Sequence, residues 1–439
     1  MTRRIEAPVL GGLDPGFVGS VVSVALDAAD PSNAVERAWP RVAPWAEDLP
    51  GLLSIVSVGK AAPGMMTAAL SCADEARSIT LGPCVAVAPH GTRLGAEPDR
   101  RVEWLRGTHP IADEATVRSA ERVAALAHPL GADDGLLLLI GGGGSALSTL
   151  PVDGVALSDL LGVTEGLLRA GATIRELNAV RGSCERLKAG GLAGLGAPAS
   201  VRSMLISDVI GDDPAVIASG LGMLGAGDDA RAEEARRALE RYGLRGRFET
   251  IDTLLAALPN PPTNTTDRSD DAEPVIMTSN RLATDAVEGL LIARGFEIAE
   301  RRDGVGGEAS TIAGELVAAG RAHAGGMRAV VWGGETTVTV GDAAGRGGRN
   351  LELALAAAAQ LRPGECLISL ATDGVDGLSD GAGAAVDGAT LARLDAARID
   401  AEQALRTHDS HNALDAAGAI IRTGPTGTNV MDVMLYLAV

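Results

Sequence analysis

Leu136 to Ser148 reads LLLLIGGGGSALS: an apolar run meets four glycines, a serine, and then small residues that suit a helix. A continuous apolar run bounded by glycine reads as a strand buried on both faces. The turn glycines carry no Cβ, so a ligand can approach the backbone closely. A helix beginning near Ser145 would aim free N–H groups at that turn and favour an anion there. Lys60 closes a second strand-like run, LLSIVSVGK (52–60), and Arg349 stands in a further glycine cluster, GRGGRN (345–350), ahead of a helical pattern. Lys60 and Arg349 are fixed cations, and Gly141–Ser145 and Gly345–Gly348 offer backbone donors. Asp208, Glu335 and Asp373 offer carboxylates for magnesium or a hydroxyl. These are the parts that phosphoryl transfer requires: donors on the transferred group, charge to neutralise it, and an oriented acceptor.

Other chemistries compete for the same residues. Gly141, Gly143 and Ala146 fit G-x-G-x-x-A, a dinucleotide fingerprint. That motif also needs a strand about 20 residues on, ending in an acid that holds the ribose. Here SDLLGVTEGLLRAGATIRELNAV (158–180) reads as helix, with Asp159 and Glu165 inside the pattern. No glycine loop ends in G-K-[ST], so a P-loop is excluded. His109 precedes a proline, which holds it extended at a strand end, either as a substrate ligand or as a structural histidine. Arg181 and Lys188 can share one face of a segment. Asp208 lies just past an apolar strand, where a carboxylate needs a cation, a hydroxyl or backbone N–H groups to face. His408, Asp409 and His411 form a polar cluster without the spacing or third ligand of a zinc site.

The elements that must position these groups alternate strand and helix along the chain. This predicts an α/β protein of two Rossmann-like domains with mainly parallel sheets and an interdomain cleft. The length of 439 residues agrees with two domains. Residues 1–258 form the first and 275–439 the second, joined by a linker or long loop at 259–274, rich in Pro, Asn, Asp and Thr. Within them, 17–47 reads as helix and Phe296–Ala299 as a short strand before a loop with Gly304, Gly306 and Gly307. Arg328–Trp332 and Thr337–Val340 read as two strands. The net charge of −19 argues against nucleic acid, whose phosphates need clustered Lys and Arg. Four scattered cysteines give no disulfide framework or zinc knuckle. With neither a signal-like start nor an apolar run of about 18 residues, no membrane span is expected and the cytoplasm is the expected compartment.

Taken together, VGKAAPGMM (58–66), GTHPIADEA (107–115), IGGGGSALS (140–148), LNAVRGSCERLKAGGLA (177–193), SDVIGDDPAVIASG (207–220), GGETTVTV (333–340), GGRNLELAL (347–355), ATDGVDG (371–377) and TGPTGTNVMD (423–432) resemble, in order and over almost the whole chain, the glycerate 2-kinases. That family carries a glycerate-kinase N-terminal domain and a MOFRL C-terminal domain. The resemblance implies transfer of the γ-phosphoryl group of ATP, with Mg2+, to the 2-hydroxyl of D-glycerate in a cleft between the domains. Lys60 and Arg349 match the family's essential lysine and arginine. Gly141, Gly142, Gly143, Gly144, Ser145, Arg181, Asp208, Gly347, Gly348 and Asn350 are the expected nucleotide and substrate contacts. Asp208, Glu335 and Asp373 are the candidate metal ligands. The partners implied are a small hydroxy acid and ATP, and a homodimer is compatible with the sequence. Some relatives are labelled hydroxypyruvate reductases, so an NAD(P)H-dependent reductase is the alternative, and a non-catalytic metabolite-binding relative a further one. The chain departs from the family where V-R-K-H is replaced by Val180-Arg181-Gly182-Ser183, where glutamine is replaced by Leu351, and where aromatics are replaced by His411, Asn412 and Ala413. These changes leave the kinase parts in place and open the acceptor to a related sugar acid.

Overall fold

A computed structural model describes residues 4–94, 98–224, 231–258, 272–323, 325–341 and 345–439. Most of the expected linker, 259–271, lies outside the described residues. The chain divides into two units, one of residues 31–277 and the other of residues 1–30 with 278–439. The first residues thus group with the later part of the sequence, because the helix Phe17–Ala29 packs its buried Val18, Val21, Val22 and Ala25 stripe against the helix Asn280–Ala293. The expected helix at 17–47 is three pieces, Phe17–Ala29, Pro31–Ala38 and Ala43–Glu47. Pro31 and Pro44, which cannot donate in a helix interior, stand at helix starts.

The sheet of the 31–277 unit is built from β1 (Leu53–Val58), β2 (Leu81–Pro89), β3 (Val102–Gly107), β4 (Gly135–Ile140), β5 (Ser200–Ile206) and β6 (Val275–Thr278), in the order β3-β2-β1-β4-β5-β6. The pairs β1/β2, β1/β4, β2/β3 and β4/β5 are all parallel. Every residue of β1 and β4 is buried, as expected of strands covered on both faces. Helices such as Ala62–Glu75 and Glu114–Ala127 make the crossovers. The strand order reverses between β1 and β4, and in open α/β sheets ligands bind outside the carboxyl ends of the strands at such a switch point. Lys60 follows β1 there, and the glycine run follows β4.

The other sheet contains β7 (Glu297–Glu308), β8 (Arg328–Thr337), β9 (Glu365–Ala371), β10 (Gly383–Asp387), β11 (Ile420–Ile421) and β12 (Asp432–Ala438), ordered β11-β10-β9-β12-β8-β7. It corrects the expectation of mainly parallel sheets. Only β7/β8 is a parallel pair, whereas β8/β12, β9/β12, β9/β10 and β10/β11 are antiparallel. The segment between β9 and β10 contains no helix, so it cannot serve as the long crossover that a parallel pair needs. The last strand, β12, then inserts between β8 and β9 and runs against both. Two further boundaries differ. β7 continues through the glycines expected as loop, and β8 passes through Gly333-Gly334 to Thr337. Both are carried by the ladder that pairs Val305–Glu308 with Gly334–Thr337.

Candidate active site

In the 31–277 unit the glycine turn is welded to the end of β1. Gly141 N donates to Val58 O at 3.0 Å and Lys60 N to Gly142 O at 2.9 Å. Gly143 has φ +80°, and a Cβ there would lie 3.0 Å from His109 Cδ2 and 3.5 Å from Lys60 Cγ. The turn, the lysine stem and the imidazole therefore share one small space. Burial and the Lys60 charge both push the His109 pKa down, which keeps the ring neutral. Asp208, just past β5, belongs to the same neighbourhood: burial raises its pKa, and Lys60 pulls it back. Among the described residues, the Lys60 ammonium and the His109 ring have no hydrogen-bond or ion-pair partner.

The helix expected at Ser145 is a single turn, Gly144–Leu147. Donors for an anion come instead from the turn itself. The amides of Gly144, Leu147 and Ser148 are spent on Gly141, Gly143 and Gly144 carbonyls. Those of Gly142, Gly143, Ser145 and Ala146 have no acceptor among the described residues. Successive free amides around a left-handed glycine form a concavity suited to phosphate oxygens. Arg181, expected to contact ligand, is half-buried and occupied. Its Nε lies 3.0 Å from Glu185 Oε1 and its Nη2 donates to Ser145 O at 3.1 Å. At the departure from the family pattern, Arg231 Nη1 donates to Gly182 O at 3.1 Å.

In the other unit Arg349 opens the helix Arg349–Ala358. Its Nε and Nη2 grip the two oxygens of Asp432 at 2.6 and 2.9 Å, and Nη2 also reaches Glu335 at 3.0 Å. Burial works against the Arg349 charge, and Asp432 more than offsets it, so the pKa rises. Asp432 heads β12 and is fully withdrawn from water. Burial pushes its carboxyl up to about 6, against the pull of Arg349. Two of the amides at this helix start are committed, and those of Gly347, Gly348 and Arg349 have no acceptor among the described residues. Asn350 N and Leu351 N donate to Asp376 at 3.1 and 2.8 Å. Gly348 is the glycine that this cap requires, since a Cβ would lie 2.4 Å from the Asp376 carbonyl carbon. Gly347 accepts from Leu378 N at 2.9 Å. Asn350, 1% exposed, is held by Asp376 and by Ser369 Oγ at 2.6 Å. Both ends of its side-chain amide are thus engaged within the fold.

The metal candidates do not assemble into a cage. Glu335 is committed to Arg349, and Asp373 accepts from Val375 N at 3.2 Å within its own turn. Among the described residues no group of three or more His, Cys, Asp or Glu side chains could hold a metal ion. The histidine cluster also disperses, His408 to Glu352 at 3.0 Å and His411 to Asp380 at 2.6 Å. Sequence reasoning left Asp376, Asp432, Glu185 and Ser219 without a role. The signal for Asp432 was its place immediately before the apolar run VMLYLAV, and for Asp376 the second acid of DGVDG.

A parallel sheet of reversed strand order, with a lysine and a turn of amides that have no partner among the described residues at the reversal, defines a Rossmann-like α/β protein. Residues 17–256 match a family described as a domain of unknown function, DUF4147, and residues 328–432 match the MOFRL family. The chain is 35% identical over 427 residues to the D-glycerate 2-kinase of Thermotoga maritima, covering 95% of this chain and 97% of that one. A protein of Agrobacterium vitis with hydroxypyruvate reductase in its name is 34% identical over 432 residues, with 95% and 93% covered. The crystal structure of the Thermotoga maritima glycerate kinase matches with a TM-score of 0.84 and 34% identity, over 96% of this chain and 99% of that one. The chain belongs to the glycerate 2-kinase family.

Proposed function

We propose that this protein transfers the γ-phosphoryl group of Mg-ATP to the 2-hydroxyl of D-glycerate, or of a closely related sugar acid, in the cytoplasm. The observation that carries the reading is the juxtaposition of Lys60, Gly143 and His109 at the carboxyl ends of the parallel strands, with free amides beside them. Phosphoryl transfer is mostly positioning and charge stabilisation, and an unpaired ammonium beside free N–H donors supplies both. Lys60 would neutralise the phosphoryl oxygens and the glycine-turn amides would orient them. Arg349, held rigid by Asp432 and Glu335, would present its remaining N–H groups to the same reaction. Asp208 and the neutral His109 are the groups of this neighbourhood able to take a hydroxyl proton. Magnesium enters with the nucleotide as part of the donor substrate, and no protein ligand is assigned to it. Four free thiols agree with a reducing compartment.

The reductase reading lacks its ribose acid. After β4 the chain turns helical at Leu157–Arg169 and Ile174–Cys184, and the next strand, β5, begins only at Ser200. The test is ADP release from D-glycerate and Mg-ATP, set beside NADH oxidation with hydroxypyruvate. ADP release that Lys60→Ala and Arg349→Ala each lower by about 10³-fold or more, in folded protein, is the expected result. NADH oxidation without ADP release would overturn the reading, and full turnover in both variants would overturn the assigned roles.

A further inference from the structure

The Lys188 side chain is fully withdrawn from water, as is that of its neighbour Glu185, and it reaches the glycine turn only through the Ser145 carbonyl and the Ser148 hydroxyl. Its Nζ donates to Ser145 O at 2.5 Å and to Ser148 Oγ at 2.7 Å, and lies 3.2 Å from Glu185 Oε2. The Arg181 guanidinium reaches the same Ser145 carbonyl. Two cations on one carbonyl oxygen is more than packing requires. An apolar side chain of similar volume would fill the space without desolvating an ammonium. The backbone that follows Lys188 closes the circuit. Ala189 N and Gly190 N donate to Ser219 O and Gly220 O at 3.1 and 3.0 Å, and Ser219 Oγ returns to Ser145 Oγ at 2.6 Å. Ala218 and Ser219 are held there at φ +48° and +58°, a backbone cost that surrounding contacts must sustain.

Three branches of this network, from Lys188, Arg181 and Ser219, meet on Ser145, whose carbonyl shares a planar trans peptide with the N–H of Ala146. Fixing the oxygen fixes the direction of that N–H, one of the free donors of the glycine turn. A charged donor on the oxygen also polarises the peptide and strengthens the N–H as a donor. We propose that Lys188 is a positioning residue for phosphoryl transfer, which with Arg181 grips the Ser145–Ala146 peptide and keeps the glycine-turn amides aimed at the transferred group. The inference rests on the kinase reading above. It separates Lys188 from the catalytic residues: its effect runs through Ser145.

The role depends on the ammonium being charged. The groups that face it are Glu185 and Arg181 from its own segment, and the Ser145 carbonyl and Ser148 hydroxyl from the turn. Burial pushes the Lys188 pKa down to about 8, with Glu185 holding it up and Arg181 pressing it further down. The experiment measures kcat and KM by ADP release from D-glycerate and Mg-ATP, from about pH 6 to about pH 9.5, on the full-length wild type, Lys188→Met and Glu185→Gln. The expected wild-type kcat falls above pH about 8 as Lys188 loses its proton. Lys188→Met lowers kcat by about 10²-fold with KM for D-glycerate changed less than about threefold. Glu185→Gln, which removes the negative neighbour, moves the alkaline limb to lower pH. A purely structural lysine would leave that limb where it is. A Lys188→Met variant with wild-type kcat, or a Glu185→Gln variant whose kcat–pH profile superimposes on that of the wild type, overturns the proposal, and the second comparison decides even where the methionine variant does not fold. Wild type without ADP release refutes the kinase reading and this inference with it. Wild type that turns over, matched by Lys188→Met, refutes the positioning role alone.

Discussion

Asp432→Asn separates what Arg349 does from how it is held. The carboxylate accepts from Arg349 Nε at 2.6 Å and from Nη2 at 2.9 Å, and the side chain is 1% exposed. Asparagine keeps the volume and one acceptor, but turns an NH2 group against the guanidinium. One charge-assisted hydrogen bond is lost, worth about 1.5–3 kcal/mol. The replacement also removes a buried negative charge, whose carboxyl burial had pushed up to about 6, and that change favours the variant. Arg349 retains Glu335 at 3.0 Å. The net loss of stability is therefore about 1–2 kcal/mol, below the 3–5 kcal/mol of a buried charge stripped of its partner. Activity falls further, because a guanidinium that is no longer pinned on two oxygens wanders by a fraction of an ångström. A misplacement of about 1 Å can cost about 10²-fold.

The pH dependence of this group has a definite sign. Between pH about 4 and about 6 the folded state holds a proton on Asp432 that the unfolded chain has released, so stability from this group falls as pH rises through that window. Turnover that needs the ionised carboxylate rises over the same window, and Asp432→Asn abolishes that share of the rise. Asp376, also pushed up to about 6 by burial, titrates beside it, and Asp376→Asn distinguishes the two. Urea unfolding and ADP release are the two assays. A variant with kcat within about threefold of wild type, or one that loses stability as steeply as activity, would refute the claim that Asp432 aims Arg349.

Two further outcomes follow from the same contacts. Gly143→Ala puts a methyl 3.0 Å from His109 Cδ2 on a backbone of φ +80°, so kcat drops at least about tenfold and stability by about 1 kcal/mol, measured by ADP release and urea unfolding. Cys84, Cys184 and Cys366 are buried thiols pushed up to about 11, 12 and 12, while Cys72 is half-exposed, so a thiol reagent titrates Cys72 first and the other three only on unfolding.

The buried strands were legible because their signal is local. LLLLI is apolar at every position, LSIVSV is interrupted only by the small Ser54 and Ser57, and each run is followed by glycine where the ladder stops. Lys60 was legible for the same reason, as a charge at the end of such a run. Strand direction in the second sheet was not legible. Whether β12 lies parallel or antiparallel to its neighbours depends on which strands it separates, and that is a long-range choice its own residues do not encode. At Gly141–Ser145 a turn with free amides stands where the sequence pointed to a helix terminus. At Gly347–Asn350 the sequence pattern was the same, yet Asp376, from another segment, takes the Asn350 and Leu351 amides and leaves only those of Gly347, Gly348 and Arg349 without an acceptor among the described residues. Local glycine and helix signals cannot reveal that their donors are already committed, because the acceptor comes from another segment.

That contrast assigns different physical work to the two cations. Lys60 has no ion-pair partner among the described residues, whereas Arg349 faces both Asp432 and Glu335. Two ionised carboxylates outweigh one guanidinium, so this cluster carries no net attraction for a nucleotide. In a chain of net charge −19, on the proposed kinase reading, drawing in a polyanion would fall to Lys60 and the uncharged amide cradle. What Arg349 would contribute on that reading is direction: a planar fork spends some of its N–H groups on the carboxylates and keeps the rest in a fixed plane. A lysine could not do both, since a single ammonium has no rigid second edge. Asp432 and Glu335 therefore offset the charge of Arg349 while fixing its plane, an arrangement that suits the orienting role proposed for it.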